Sequence, residues 1–237
     1  MAKEVIVTAD KVKNRKAFVK VVKRALLILL IFLILLYIVL EIIYHEGRFT
    51  IRLDSNQTLE SGLAIFDSTN NGHAKRKLEA TPIKFMDNID GRTIPENVHK
   101  EAEGSHNGKN YIAYTFFVEN QGNEVLEYFY EVVIDDVIKN VDEAIRIRIY
   151  RNDEYVTYAK RNHLDNKPEK NTEPFKNIKE SPDTIILEKV ENFKPNDIDR
   201  YTIVIWIEGP DPDCIDALIG GELKAHMVIA EQHIEQS

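Results

Sequence analysis

Apolar and polar positions follow two different patterns along this chain. From Ala25 to Leu40 every position is apolar, and after Glu41 the run resumes with Ile42, Ile43 and Tyr44. A bilayer core takes roughly 20 apolar residues in helical form. The pattern therefore predicts a membrane helix over residues 25–44, with Glu41 and Tyr44 at the far interface. A core helix of a soluble domain keeps a polar face, and this segment has none.

Beyond the helix the period changes to two. Short runs of β-branched and aromatic residues recur between Gly, Asn, Asp and Pro. Strands are predicted over 48–53, 61–66, 111–118, 125–135, 141–150, 154–160, 184–190, 200–208 and 222–229, with weaker candidates at 77–80 and 83–86. Residues 111–118 are apolar on both alternating faces, as in a strand covered on both sides. In 141–150, Ile145, Ile147 and Ile149 face one way, and Arg146 and Arg148 the other. Asn120-Gln121-Gly122 is turn chemistry. The stretches 67–106 and 161–183 read as polar loops. Asp211, Pro212 and Gly220-Gly221 suggest one short helix over 212–219, capped by Asp211. The fold expected is all-β: an antiparallel β-sandwich of jelly-roll type behind one N-terminal helix.

Charge adds an orientation. The first 24 residues carry eight basic and two acidic side chains, and Lys20, Lys23 and Arg24 sit directly before the apolar run. Positive flanks stay cytoplasmic. The expected layout is a basic cytoplasmic tail (1–24), a signal-anchor helix (25–44) and an extracytoplasmic domain (45–237). A cleaved signal peptide is the competing reading, but its apolar run would be shorter and end in small residues. Here the run ends in Ile-Ile-Tyr-His-Glu. With a chain total of −8, everything after residue 24 carries −14. That argues against nucleic acid as a partner and leaves the bilayer, with an external protein or glycan. The single cysteine, Cys214, allows no internal disulfide and is expected to be buried.

Candidate chemistry is concentrated in one acidic loop. Glu208, Asp211, Asp213 and Asp216 lie within nine residues, and hard cations such as Ca²⁺ take several oxygen ligands. Calcium is the cofactor this suggests, although helix capping explains the same acids and is preferred. Asp135, Asp136, Asp142 and Glu143 offer a weaker carboxylate grouping of the kind glycosidases use. The seven histidines form no zinc-protease or zinc-finger spacing, and no G-x-S-x-G, P-loop or dinucleotide fingerprint is present. Asn56-Gln-Thr58 matches a glycosylation sequon. Aromatics at 111–117 and 128–130 suit either a sandwich core or a sugar-stacking face, with core preferred.

The tail from Tyr201 to Lys224, with Trp206-x-Glu208-Gly-x-Asp211-x-x-Cys214 and Gly220-Gly221 before a last strand, resembles a segment of poorly characterised surface proteins of Gram-positive bacteria. In broad layout the chain is similar to the TasA/camelysin group of exported jelly-roll proteins. The resemblance implies a jelly-roll domain outside the cell, in some members assembled into fibres. The chain departs from that group by keeping an anchor, and it has no protease motif to carry over. The function expected is a membrane-anchored structural or interaction protein of the cell surface. A calcium- or glycan-binding module is the alternative, and a surface hydrolase ranks last.

Overall fold

The computed structural model describes residues 9–44, 49–54, 62–69, 73–179 and 181–232. The chain divides into two units, Met1–Glu46 and Gly47–Ser237.

The first unit is one helix, α1 (Ala9–Tyr44). It starts well before the apolar run because nothing from residue 9 onward breaks it: the basic segment lacks Gly and Pro. Within it, Ala17–Leu40 is long and apolar enough to cross a membrane, and none of that stretch is buried inside the protein. Lys20, Lys23 and Arg24 lie exposed on its N-terminal half.

The second unit is built of β1 (Thr50–Leu53), β2 (Leu63–Phe66), β3 (Lys77–Glu79), β4 (Gly104–Ser105), β5 (Ile112–Asn120), β6 (Leu126–Ile138), β7 (Ile145–Arg151), β8 (Glu154–Ala159), β9 (Glu173–Pro174), β10 (Thr184–Phe193), β11 (Ile198–Ile207) and β12 (Glu222–Gln232). One short helix, α2 (Val98–Glu101), precedes β4. The smaller sheet runs β10-β6-β12-β1-β3, and the larger runs β2-β5-β11-β7-β8-β9 with β4 added to β5. Both sheets are mixed, which corrects the purely antiparallel expectation. β1 pairs in parallel with β12, and β8 in parallel with β9. Parallel neighbours need a long crossover, and almost the whole domain supplies it between β1 and β12.

Alternation along the strands sets the core. Leu126, Tyr128, Tyr130 and Val132 of β6 and Met227 and Ile229 of β12 point inward. They share one apolar cluster with Phe116 and Val118 of β5, Ile147 and Ile149 of β7, and Tyr201 and Ile203 of β11. Tyr130 meets Tyr201 edge-on, with ring centroids 5.4 Å apart. The Tyr128 hydroxyl donates to Asp199 Oδ2 at 2.6 Å and lies 2.8 Å from the Tyr201 hydroxyl. Burial raises the pKa of both phenols, so they stay protonated.

The larger sheet is covered on its other face as well. Ile94 and Val98 pack on Ala113, Tyr150, Val204 and Trp206, with Ile89 and Tyr111 at the margin. The polar stretch 67–106 thus supplies a cover, and the weak candidate at 83–86 forms no strand: Phe85 is fully exposed to solvent. The Asn120 turn behaves as its sequence suggests. Asn120 is buried, and its Nδ2 donates to the carbonyls of Glu124 and Phe193 while its Oδ1 accepts from Gly122 N. A side chain on Gly62 would strike the Gly122 backbone at 2.8 Å, so this corner closes only with glycine.

Candidate functional site

The loop after β11 is a chain of turns. Glu208 N donates to Ala144 O at 2.8 Å, Gly209 N to Ile89 O at 2.8 Å, and Cys214 N to Asp211 O at 3.0 Å. The helix expected over 212–219 is absent. A single 3-10 turn, Asp216–Leu218, stands in its place, preceded by Ile215, which offers no side-chain cap. Asp211 does not cap a helix because its carboxylate is engaged elsewhere. Its Oδ1 accepts from Asp213 N at 2.8 Å, and its Oδ2 accepts from Arg146 Nη2.

Arg146 reaches this loop from β7. It lies on the outer face of the larger sheet, opposite Trp206 on one side and Ala159 on the other. Its side chain is only 6 % exposed and Asp211 is 0 % exposed, so this is a buried ion pair and not a solvated strand face. Glu169, from the loop between β8 and β9, stands 3.6 Å from Arg146 Nη2. One carboxylate oxygen each from Glu169, Asp211 and Asp213 falls within 4.8 Å of the others. Asp213 is held in turn by His163, whose backbone N donates at 3.0 Å and whose Nδ1 donates at 2.9 Å. That bond raises the His163 pKa, with desolvation opposing it. Burial pushes Asp213 upward, but its bonds to His163 outweigh burial and leave it below the usual carboxylate range.

Of the four acids singled out in the sequence, the structure therefore brings two together. Glu208 turns away: its Oε2 accepts from the Trp206 indole at 2.6 Å and from Gly91 N at 3.2 Å. Asp216 is exposed in its 3-10 turn. Glu169, Arg146 and His163 were not anticipated; Glu169 sits in a polar stretch that reads as surface loop. Two of the three carboxylates, Asp211 and Glu169, face the Arg146 guanidinium, and Glu169 Oε1 is buried with no hydrogen-bond partner. Calcium takes six to eight oxygens, so an ion here would have to displace Arg146 from Asp211 and recruit further ligands. The arrangement is first an ion-pair network that pins two loops to the end of β7.

The other groupings disperse. Asp142 and Glu143 both accept from Lys160 Nζ at 2.7 Å. Asp135 accepts from His226 Nδ1 at 2.9 Å, and His226 Nε2 lies 2.7 Å from Arg52 Nη2, so His226 is buried rather than facing solvent. Tyr114, Phe116, Phe117, Tyr128 and Tyr130 are buried in the core. Cys214 is half-buried, 3.5 Å from Asn88 Nδ2, and burial raises its pKa. The Asn56 sequon, Ser61, His45 and His233 lie outside the described residues.

No protein-family model and no curated protein matches the sequence. Among solved structures, a β-glucosidase from Kluyveromyces marxianus in complex with glucose is 12 % identical, covering 80 % of this chain and 18 % of that one, at a TM-score of 0.26. The GH31 α-xylosidase of Xanthomonas citri is 11 % identical over 75 % of this chain and 18 % of its own, at a TM-score of 0.27. The chain thus corresponds to less than a fifth of these enzymes. At such TM-scores the likeness supports no conclusion about fold or activity.

Proposed function

We propose that the chain is a single-pass membrane protein that holds an acidic jelly-roll β-sandwich outside the cell as a structural or interaction module. The observation that carries this reading is the exposed apolar helix Ala17–Leu40, preceded by a basic segment and followed by a separate β unit. The kinship with the TasA/camelysin group belongs to the same proposal. The dispersal of the carboxylate and histidine groupings favours binding over catalysis. A partner strand would find its simplest dock at the first half of β8, where Tyr155 and Val156 are exposed. There β7 lies on one side, while β9 begins only opposite Tyr158. The deciding experiment is protease treatment of intact cells expressing the full chain with a C-terminal tag. Loss of the tag with survival of a helix-sized fragment supports the proposal; a tag protected until the cells are lysed refutes it.

A second reading makes the module a calcium binder, and what favours it is the convergence of Glu169, Asp211 and Asp213 beside a single guanidinium. A ligand that binds only the folded state raises the unfolding midpoint. A midpoint that rises with calcium and falls with chelator supports this reading. An unchanged midpoint leaves the cluster as an ion-pair network.

A further inference from the structure

The segment from Ile89 to Ala102, which ends just before β4, lies as a strap on the outer face of the larger sheet, and His99 of α2 is fastened into it. The His99 ring lies flat on Tyr150, with centroids 4.5 Å apart and planes 11° from parallel. Its side chain is 10 % exposed, and both ring nitrogens are buried without a hydrogen-bond partner. Besides the packing of Ile94 and Val98, the strap is held at its carbonyls: Arg200 Nε donates to His99 O at 3.0 Å and Arg200 Nη2 to Ala102 O at 3.1 Å, while His106, just after β4, sets Nε2 3.1 Å from Val98 O and Nδ1 3.0 Å from Gly104 O.

The charged groups around the ring are few. From α2 comes Lys100, from β11 Arg200, and from the β7–β8 turn Asp153; β7 contributes the Tyr150 phenol and, donating to its hydroxyl at 3.4 Å, Arg148. Asp153 Oδ1 is 3.6 Å from His99 Nε2 but is 75 % exposed and already bonded by Lys100 at 2.5 Å. A neutral ring tolerates this place at the cost of one N–H without a hydrogen bond. A charged ring would sit buried beside two cations with one shared acid. We propose that the strap is an acid-released cover, in which protonation of His99 lifts α2 and bares Tyr150, Val204 and Trp206.

Burial and Lys100 both hold the His99 pKa below its ordinary 6.5, with Asp153 opposing them only in part. The sign follows. At high pH the ring is neutral whether the strap is closed or open, and pH has no effect. As pH falls through the open-state value, the open form takes the proton and the closed form does not, so closure weakens until the closed-state pKa is passed. Each unit of separation between the two values multiplies the opening constant by about ten.

Trp206 reports this directly. It is the only tryptophan, 2 % exposed, in the cluster with Ile94 and Val98. Acrylamide quenching of the full chain in detergent would be followed from about pH 8 to pH 5, the range in which histidine changes charge. The expected result is quenching that rises on acidification in the wild type and stays flat in His99→Phe, which keeps the ring stack but takes no proton. Asp153→Asn removes the one group that favours the charged ring and should enlarge the acid response. Amide exchange over residues 94–102 should accelerate in parallel. A wild-type chain with no acid response, or a His99→Phe variant responding as the wild type does, overturns the proposal. Should His99→Phe fail to fold, an acid response unaltered by Asp153→Asn overturns it equally.

Discussion

Replacing Arg146 by methionine tests whether the acidic cluster is an ion-pair network. The substitution keeps the aliphatic stem but removes the guanidinium that faces Asp211 and Glu169. Asp211 is 0 % exposed, Asp213 4 % and Glu169 14 %, so water cannot readily replace the lost partner. Breaking a buried pair by deleting one member costs about 3–5 kcal/mol, because the other charge stays buried alone. For a unit of this size each kcal/mol moves the thermal midpoint by about 2–4 °C, so the midpoint should fall by roughly 6–20 °C. Circular dichroism melts of the full chain in detergent would measure it. Adding Asp211→Asn to Arg146→Met should recover much of the loss, since Asn still accepts from Asp213 N and no longer carries charge. Calcium gives a further division: if the carboxylates can hold an ion, the variant should be rescued by it more strongly than the wild type, where Arg146 competes. A fall of less than about 1 kcal/mol, the worth of an exposed pair, would refute the reasoning that the cluster is a buried support.

Three other outcomes are expected. Asn120→Ala should cost about 2–4 kcal/mol by leaving the Glu124 and Phe193 carbonyls and the Gly122 N–H without their partner; a denaturant midpoint shift would show it. Gly91→Ala places a methyl 2.8 Å from the Trp206 ring and 2.9 Å from Glu208 Oε2, and should cost about 1–3 kcal/mol and change Trp206 emission at neutral pH. Replacing Lys20, Lys23 and Arg24 together by Gln should reduce the share of chains whose C-terminal tag is reached from outside intact cells, because positive flanks set orientation.

The patterns legible in the sequence were those set by local spacing. The all-round apolar run marked α1, continuous runs of β-branched and aromatic residues marked β5, β10 and β11, and alternation marked β6, β7 and β12, because burial of one strand face is written in alternate residues and burial of both in unbroken ones. The inward set of β6 follows that alternation from Leu126 to Val132. Strand pairing was less legible, since the parallel match of β1 with β12 joins residues at opposite ends of the domain. The two-sided burial of β7 was hidden for a related reason. Arg146 and Arg148 look like solvent-facing residues, yet Arg146 is buried by an acid 65 residues away, and Arg148 lies between the rings of Tyr155 and Trp206 at 4.8 and 5.0 Å.

The acidic loop shows why residue types alone mislead about a site. Four carboxylates close in sequence imply convergence only if the backbone between them is regular, and here it is a series of turns. Trp206 claims Glu208 because its indole N–H, buried at the end of β11, needs an acceptor. Arg146 claims Asp211 for a similar reason: a guanidinium buried in the sheet face must find a carboxylate. Both demands come from the sheet and reach outward to the loop. The loop's shape is therefore dictated by what β7 and β11 leave unsatisfied, and Glu169 and His163 are recruited to the charge that results. The same logic singles out His99, a ring buried on that sheet face with neither nitrogen hydrogen-bonded and only a shared, exposed acid near Nε2, so the proposed sensitivity to pH belongs there and not among the acids.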